Sequence, residues 1–506
     1  MNVLFFMSHG LLARNFEWLL RELTRRGHRV HVALDHMDKP GMANTNNVLE
    51  EIARECPGLS FGSAPTRGRA TISFAGRAFR LVLDYLRYLE PGYADAEKPR
   101  ARMTARIPRS LRLVSAPLLR SPRGRASIGG LLRLADEGVP VDGGLTRFVS
   151  AFAPDVILVT PLVDPGSPQT DYVRAARTLE IPSLLAVHSW DNLTLKGGIH
   201  EVPDVVAVWN DVQRQEAVRL HGIPSSRVVV TGAVAYDHWF DWEPASTRAE
   251  FCAAAGLDPE RAFLLYLGSS RFIAPDESTF IREWNSRIRQ DSPELADVQV
   301  VLRPHPLNPF VGETPEGLHI AAARDVEPYD ADSRASYFDA IHHSAAVVGI
   351  LTSGMIEAAI VDRPVHTLLV DRYRDTQRAT AHFRHLLPEN GGMIIVGGSY
   401  DEHADQLRRS LLGEAWGRNR PFVDSFVRAS AAGASASSVL ADAIEALPGM
   451  QAAVVARPAG RRAAAAVVAR TAWALMRLVL LLKGSVATHA PGAPGPAGAT
   501  RPVRDA

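Results

Sequence analysis

The chain has 506 residues, 46% of them hydrophobic and 22% charged, with a formal net charge of +1. That length exceeds one ordinary core and sets two α/β domains of roughly 200 residues each as the expectation, while so even a charge balance excludes a bulk polyanion or nucleic-acid binder. Two cysteines, Cys56 and Cys252, lie far apart without metal-ligand spacing, which suits a reduced, cytoplasmic compartment.

The first residues lead straight into an apolar strand over 3–7, with neither a basic leader nor a cleavage site, so secretion is not expected. An amphipathic helix over 11–26, a stop at Gly27 and a second strand over 29–34 follow, as at the start of a doubly wound sheet. The turn between them is Ser8-His9-Gly10 instead of G-x-G-x-x-G, which argues against a dinucleotide cofactor. His9 stands in the loop that faces the cleft of such an architecture. There it could deprotonate an acceptor hydroxyl or simply contact ligand.

Residues 66–145 read as a basic helical insertion. Arg67, Arg69, Arg77, Arg80, Arg100, Arg102, Arg106, Arg109, Arg112, Arg120, Arg123 and Arg125 are interleaved there with Phe79, Leu81, Leu83, Tyr85, Leu86, Tyr88 and Leu89. The plain expectation is a solvated surface; the functional one is a face held to anionic lipid or to an anionic acceptor.

Strand patterns resume over 155–160, 183–187, 205–209 and 228–231, with helices over 170–179 and 211–221 between them. The loop over 188–197 is polar and ends in glycine. It offers His188, Asp191, Asn192 and Lys196 as acceptor-side candidates: Asp191 rivals His9 as base or merely stabilises a turn, and Lys196 binds a phosphate or is exposed. Residues 236–245 read as the hinge between halves.

In the second half three strands end in donor-rich or small residues. Residues 263–267 empty into Gly268-Ser269-Ser270, residues 298–302 into Arg303-Pro304-His305-Pro306, and residues 347–351 into Thr352-Ser353-Gly354. The last of these opens a helix bearing Glu357, before another strand over 365–370. Small residues, backbone N–H groups and fixed cations at one sheet edge suit a diphosphate, and Glu357 could reach ribose hydroxyls. Asp330-Ala331-Asp332 invites a metal reading but precedes a helix over 333–343, where acids cap, and the adjacent His342 and His343 point apart. A G-x-S-x-G elbow and a P-loop are absent from the sequence.

The RPHP turn, the TSG-x-x-EA helix and the strand ending in GSS resemble the donor half of GT-B glycosyltransferases, and the 188–197 loop and Val208-Trp209-Asn210 match the same group. Bacterial surface-polysaccharide enzymes are the nearest, including CDP-glycerol glycerophosphotransferase-like and capsule transferases, with UDP-N-acetylglucosamine 2-epimerases as cousins. The resemblance spans roughly residues 1–430, and it departs from the epimerases, whose phosphate loop is richer in glycine and followed by paired Glu.

It implies two Rossmann-like domains over 1–235 and 246–447, a nucleotide sugar as co-substrate without cofactor or catalytic metal, and a glycan or lipid-linked acceptor. Donor contacts would come from Gly268, Ser269, Ser270, Arg303, His305, Thr352, Ser353, Gly354 and Glu357, with Arg303 and His305 also stabilising the leaving group and His9 or Asp191 as base. A glycerol- or ribitol-phosphate transferase, a 2-epimerase and a non-catalytic nucleotide-sugar-binding scaffold are the alternatives.

Residues 448–506 stand apart. Arg461, Arg462, Arg470, Arg477 and Lys483 punctuate an Ala/Val/Leu helix containing Trp473, and a Pro/Gly/Ala-rich tail follows over 489–506. Arg470 and Arg477 would each cost about 2.5–3.5 kcal/mol at a bilayer centre, so the expectation is an amphipathic helix lying on an anionic membrane through 461–483, not spanning it.

Overall fold

The structure is a computed structural model; it describes residues 1–37, 45–65, 72–93, 97–107, 119–290, 292–321, 331–414, 416–428, 433–450 and 458–487, with side chains to 477 in the last stretch. Arg67, Arg69, Arg109, Arg112, Asp330, the Lys483 side chain and the 489–506 tail lie outside the described residues.

Two sheets organise the chain. The first comprises β1 (Asn2–His9), β2 (Arg29–His36), β3 (Leu59–Ser63), β4 (Val156–Thr160), β5 (Ser183–Ala186), β6 (Val205–Val208) and β7 (Val228–Val230), in the order β3-β2-β1-β4-β5-β6-β7. The second comprises β8 (Phe263–Leu267), β9 (Gln299–Arg303), β10 (Leu318–Ile320), β11 (Ala346–Val348), β12 (Val365–Leu368) and β13 (Ile395–Gly397), in the order β10-β9-β8-β11-β12-β13. Every pairing within them is parallel. Parallel sheets are covered on both faces, which is why the central strands read as unbroken apolar runs. Val3, Phe5 and Met7 join one core and Leu4 and Phe6 the core on the opposite face, the period of two that a strand imposes.

Strand order reverses between β1 and β4 in one sheet and between β8 and β11 in the other. Outside the carboxyl ends at such switch points, crevices form. Two Rossmann-like domains presenting these ends to a common cleft are the GT-B arrangement.

The chain crosses between the domains more than once. Residues 236–245 pack Tyr236 and Trp239 into the second domain's core, and Trp190 and Trp209 of the first domain join the same core. The helix Ala436–Ala446 returns to the first domain, where Leu440, Ala441 and Ile444 pack with Val3 and Phe5 and Asp237 accepts the N–H groups of Ala436 and Ser437 at 2.8 and 2.7 Å.

The insertion contributes the helices Ile72–Arg87, Glu97–Arg106 and Pro122–Glu137. Arg80 on the first of them is fully buried and pairs with Asp136 and Asp171, both at 3.0 Å, while Arg174 pairs with Asp136 at 2.6 Å and Glu201 at 3.0 Å. Desolvated pairs of this kind fix geometry more than they add stability, and removing one member costs about 3–5 kcal/mol. The C-terminal helix Ala459–Ala487 lies on this insertion. Ala469, with Val468, Ala472, Trp473 and Met476 around it, packs against Ala75, Phe79, Ala135 and Val139, and Arg461 pairs with Glu137 at 2.9 Å. Up to Arg477, where the described side chains end, apolar residues of the face expected on a bilayer are therefore engaged within the protein, while Arg462, Val467, Arg470, Leu475 and Arg477 are among those exposed. No helix among the described residues is long and apolar enough to cross a membrane.

Candidate functional site

The carboxyl ends of β8, β9 and β11 meet at the second switch point. Gly268 follows β8 so closely on the Arg303–His305 turn that a Cβ there would lie 2.7 Å from the His305 nitrogen. Only glycine allows that approach. Behind the turn, the buried Ser269 accepts Leu351 N–H on its Oγ at 3.3 Å and gives its own N–H to Glu277 Oε2 at 2.6 Å. Asn308 donates to the Ser269 and Ala274 carbonyls, each at 3.0 Å. Burial pushes the Glu277 carboxyl up to about 7, against hydrogen bonds from Ser269, Tyr266 and Asn308 that favour its charge. Ser269 thus braces the loops, and Ser270 carries the exposed donor surface into the cleft.

His305 lines the cleft, and its Nδ1 accepts the Leu307 N–H at 3.1 Å. A ring accepting on Nδ1 is neutral with its proton on Nε2, a donor. Arg303 points elsewhere: it donates to the Ser336 carbonyl at 3.0 Å and stacks over Tyr337 at 5.2 Å, and burial lowers its pKa. Tyr337 in turn donates to Glu357, whose pKa burial raises although that hydroxyl and Arg14 oppose the shift. Gly354 packs where a Cβ would meet Leu267 and the Tyr337 hydroxyl, both at 2.6 Å. Of the predicted donor set, Ser270, His305, Thr352 and Ser353 line the cleft, while Gly268, Ser269, Arg303, Gly354 and Glu357 stand behind it. Asp332 occupies the first turn of the helix Ala331–His343, and His343 hydrogen-bonds the Ser246 carbonyl at 2.8 Å.

Across the cleft stand Ser189, Asp191 and Lys196. Burial by itself would raise the Asp191 carboxyl, but Lys196, His382, the Ser189 hydroxyl at 2.6 Å and His188 together hold it below its ordinary value. Burial and Lys196 keep His188 neutral, its pKa pushed well down. His9, at the end of β1, stands close enough to add to that depression. Asn192 is buried beneath the loop, outside the cleft lining. Trp190 spans the domains: its indole N–H donates to Ser353 Oγ at 3.3 Å, and His382 sets its ring edge against it at 4.8 Å. Burial pushes His382 down to about 4.

Helix Ile72–Arg87 holds this loop from behind. Asp84, buried, accepts Gly166 N–H at 2.8 Å, Gly198 N–H at 2.7 Å and His200 Nε2 at 2.8 Å. Arg87 donates to the Gly197 and Leu193 carbonyls at 2.7 and 2.6 Å, and Tyr88 to the Lys196 carbonyl at 3.2 Å. Glu277, Asn308, Tyr337 and His382 carry no local signal that pattern reading could use. Asp84 does, since it is an acid on the apolar face of a helix, which calls for partners.

The resulting cleft encloses about 630 Å³. Besides the groups above, Arg102 and Arg106 of the insertion, Asp164, Phe272 and Leu351 line it.

No protein-family model and no curated protein matches the chain. Solved structures do. Staphylococcus aureus MnaA with UDP superposes at TM-score 0.50 and 12% identity, covering 90% of this chain and 98% of that one. A UDP-GlcNAc 2-epimerase from Neisseria meningitidis bound to UDP-GlcNAc gives 0.48 and 11%, over 87% and 99% of the chains. A glycosyltransferase from Rickettsia africae gives 0.45 and 9%, over 88% and 97%. At such identities the likeness is one of fold.

Proposed function

We propose that the chain is a transferase moving a sugar from a nucleotide-activated donor to a hydroxyl acceptor, in the making of a surface polysaccharide or glycolipid. The observation that carries this reading is the facing of two sets of groups across one cleft: Ser270, His305, Thr352 and Ser353 on the second domain, Ser189, Asp191 and Lys196 on the first.

The donor's diphosphate lies against the second domain's set, its nucleoside directed toward the helix that bears Glu357. Acceptor oxygen attacks the anomeric carbon, and the bond from that carbon to the diphosphate breaks with its electron pair on the leaving oxygen. The His305 Nε2–H hydrogen-bonds that oxygen as its charge grows. Asp191 takes the acceptor's proton: its depressed pKa keeps it ionised, and the hydroxyl becomes acidic enough to yield a proton only as the new bond forms. His9, at the end of β1 with β4 between it and the strand that leads to His188, acts through its electrostatic effect on His188. At the C-terminus, the exposed Arg462, Arg470 and Arg477 supply electrostatic attraction to an anionic membrane face.

Incubating the purified chain with a panel of nucleotide sugars and CDP-alditols, with and without acceptors, tests the assignment. Transfer requires an acceptor, or water in its place, and releases nucleotide; an epimerase converts the sugar with the nucleotide still attached; a scaffold binds and releases nothing.

A further inference from the structure

The short insertion helix Glu97–Arg106 turns one side to the cleft: Pro99, Arg102, Met103 and Arg106 line it together with the diphosphate-facing groups. Arg102 and Arg106 are one turn apart on one helix face, about 6 Å along the axis, where like charges repel by a few tenths of a kcal/mol. A sequence that keeps two cations there gains by presenting them to a shared anion.

Arg102 is also oriented. Its guanidinium carbon lies over the ring of Phe272, which belongs to the other domain, 5.1 Å from the centroid. A cation–π contact uses none of the guanidinium's hydrogen-bond donors, so they remain to take a phosphate, which arginine can hold through two parallel hydrogen bonds. The floor is apolar: Met103 and Ile273 are buried beneath. Lys196 adds a third cation, and Asp164 and Asp191 are the acids on this lining.

Resting on the proposed transferase reading, we infer that Arg102 and Arg106, with Lys196, form a second anion subsite on the acceptor side, and that the acceptor carries a phosphate or diphosphate close to the hydroxyl that is extended. The subsite is separate from the donor diphosphate groups at Ser270, His305 and Thr352. Because Arg102 and Phe272 come from different domains, an anion held there also draws the cleft together.

The test is calorimetric titration of the full chain saturated with whichever of UDP, CDP or GDP binds it best, so that the donor site is filled. Inorganic pyrophosphate, geranyl diphosphate and geraniol are the probes, and Arg102→Gln/Arg106→Gln is the variant. Both substitutions are at exposed positions. The wild type is expected to bind the two diphosphates and not geraniol, and the variant to bind them roughly ten- to a hundred-fold more weakly with its nucleotide affinity unchanged. Geranyl diphosphate binding tighter than pyrophosphate assigns the anion to a lipid-linked acceptor; equal binding assigns it to a phosphorylated sugar. Absence of diphosphate uptake by the nucleotide-saturated wild type, or equal uptake by the variant, overturns the subsite. If no nucleotide binds, the donor reading falls, and the same comparison on nucleotide-free protein still decides the arginine pair.

Discussion

A histidine whose Nδ1 accepts a backbone N–H carries its proton on Nε2, and His305 at the cleft wall is held in that tautomer by the Leu307 N–H. Its value grows with leaving-group charge, so His305→Ala is expected to lower kcat by about 10²–10⁴-fold and to weaken donor binding far less; a loss confined to donor affinity would remove it from this role. For the base, Asp191→Asn should lose turnover on the same scale while His9→Ala loses much less. Since Asp191 titrates below its ordinary value, activity should hold down to about pH 4 and fall only below it, as measured by kcat/KM against pH. Glu277 gives a stability test of opposite sign. Its carboxyl titrates at about 7 against an ordinary 4.5, so the folded state holds a proton that the unfolded state has released over that interval. Wild type should therefore lose Tm relative to Glu277→Gln as pH rises from 4.5 to 7 and no further above it; a pH-independent difference would mean the carboxyl is not perturbed. The sequence showed which turns carry donors because GSS, RPHP and TSG are local patterns. It could not separate His305 from Arg303, two residues earlier, because Tyr337 and Ser336 of a distant helix decide where the guanidinium goes. Gly354 was expected against the donor, but what packs on it is Tyr337 and Leu267.

Among elements, the central strands were readable and two of the edge strands were not. β1, β8 and β9 announce themselves as apolar runs, whereas Leu59–Ser63 and Leu318–Ile320 are edge strands with one buried residue each and show no pattern. The insertion was legible as basic and helical, but its purpose lies in tertiary contacts: Asp84, Arg87 and Tyr88 hold the backbone of the Asp191 loop. Asp84→Ala leaves two buried N–H groups without an acceptor and lets that loop drift. Misplacement of about 1 Å can cost on the order of 10²-fold in rate, so kcat/KM for acceptor should fall by at least about ten-fold while calorimetric donor affinity stays put; an equal loss of both would mark general misfolding instead. The C-terminal helix makes a different demand. A methyl at Gly138 would sit 1.9 Å from the Ala465 carbonyl oxygen, so Gly138→Ala should lift that helix from the insertion. Trypsin should then cut at Arg462, Arg470 and Arg477 faster than in wild type. Unchanged cleavage would contradict the docking.

At the scale of the molecule, the domains are joined as much as they are separated. Trp190 and Trp209 of the first lie in the core of the second, Arg334 reaches Glu17 at 3.1 Å, and the chain returns to the first domain through Ala436–Ala446. This leaves the cleft as the place where the two sets of functional groups can meet a ligand, and where, on the proposed function, a nucleotide sugar is broken. The direct measurement is nucleoside diphosphate release from a panel of nucleotide sugars, with products resolved by chromatography, for wild type and His305→Ala. Wild type is expected to free nucleotide from at least one donor, slowly with water and faster with a phosphorylated acceptor, and His305→Ala to do so at least about 10²-fold more slowly. Conversion of the sugar with the nucleotide still attached, or release that is the same in both proteins, would contradict the proposed function.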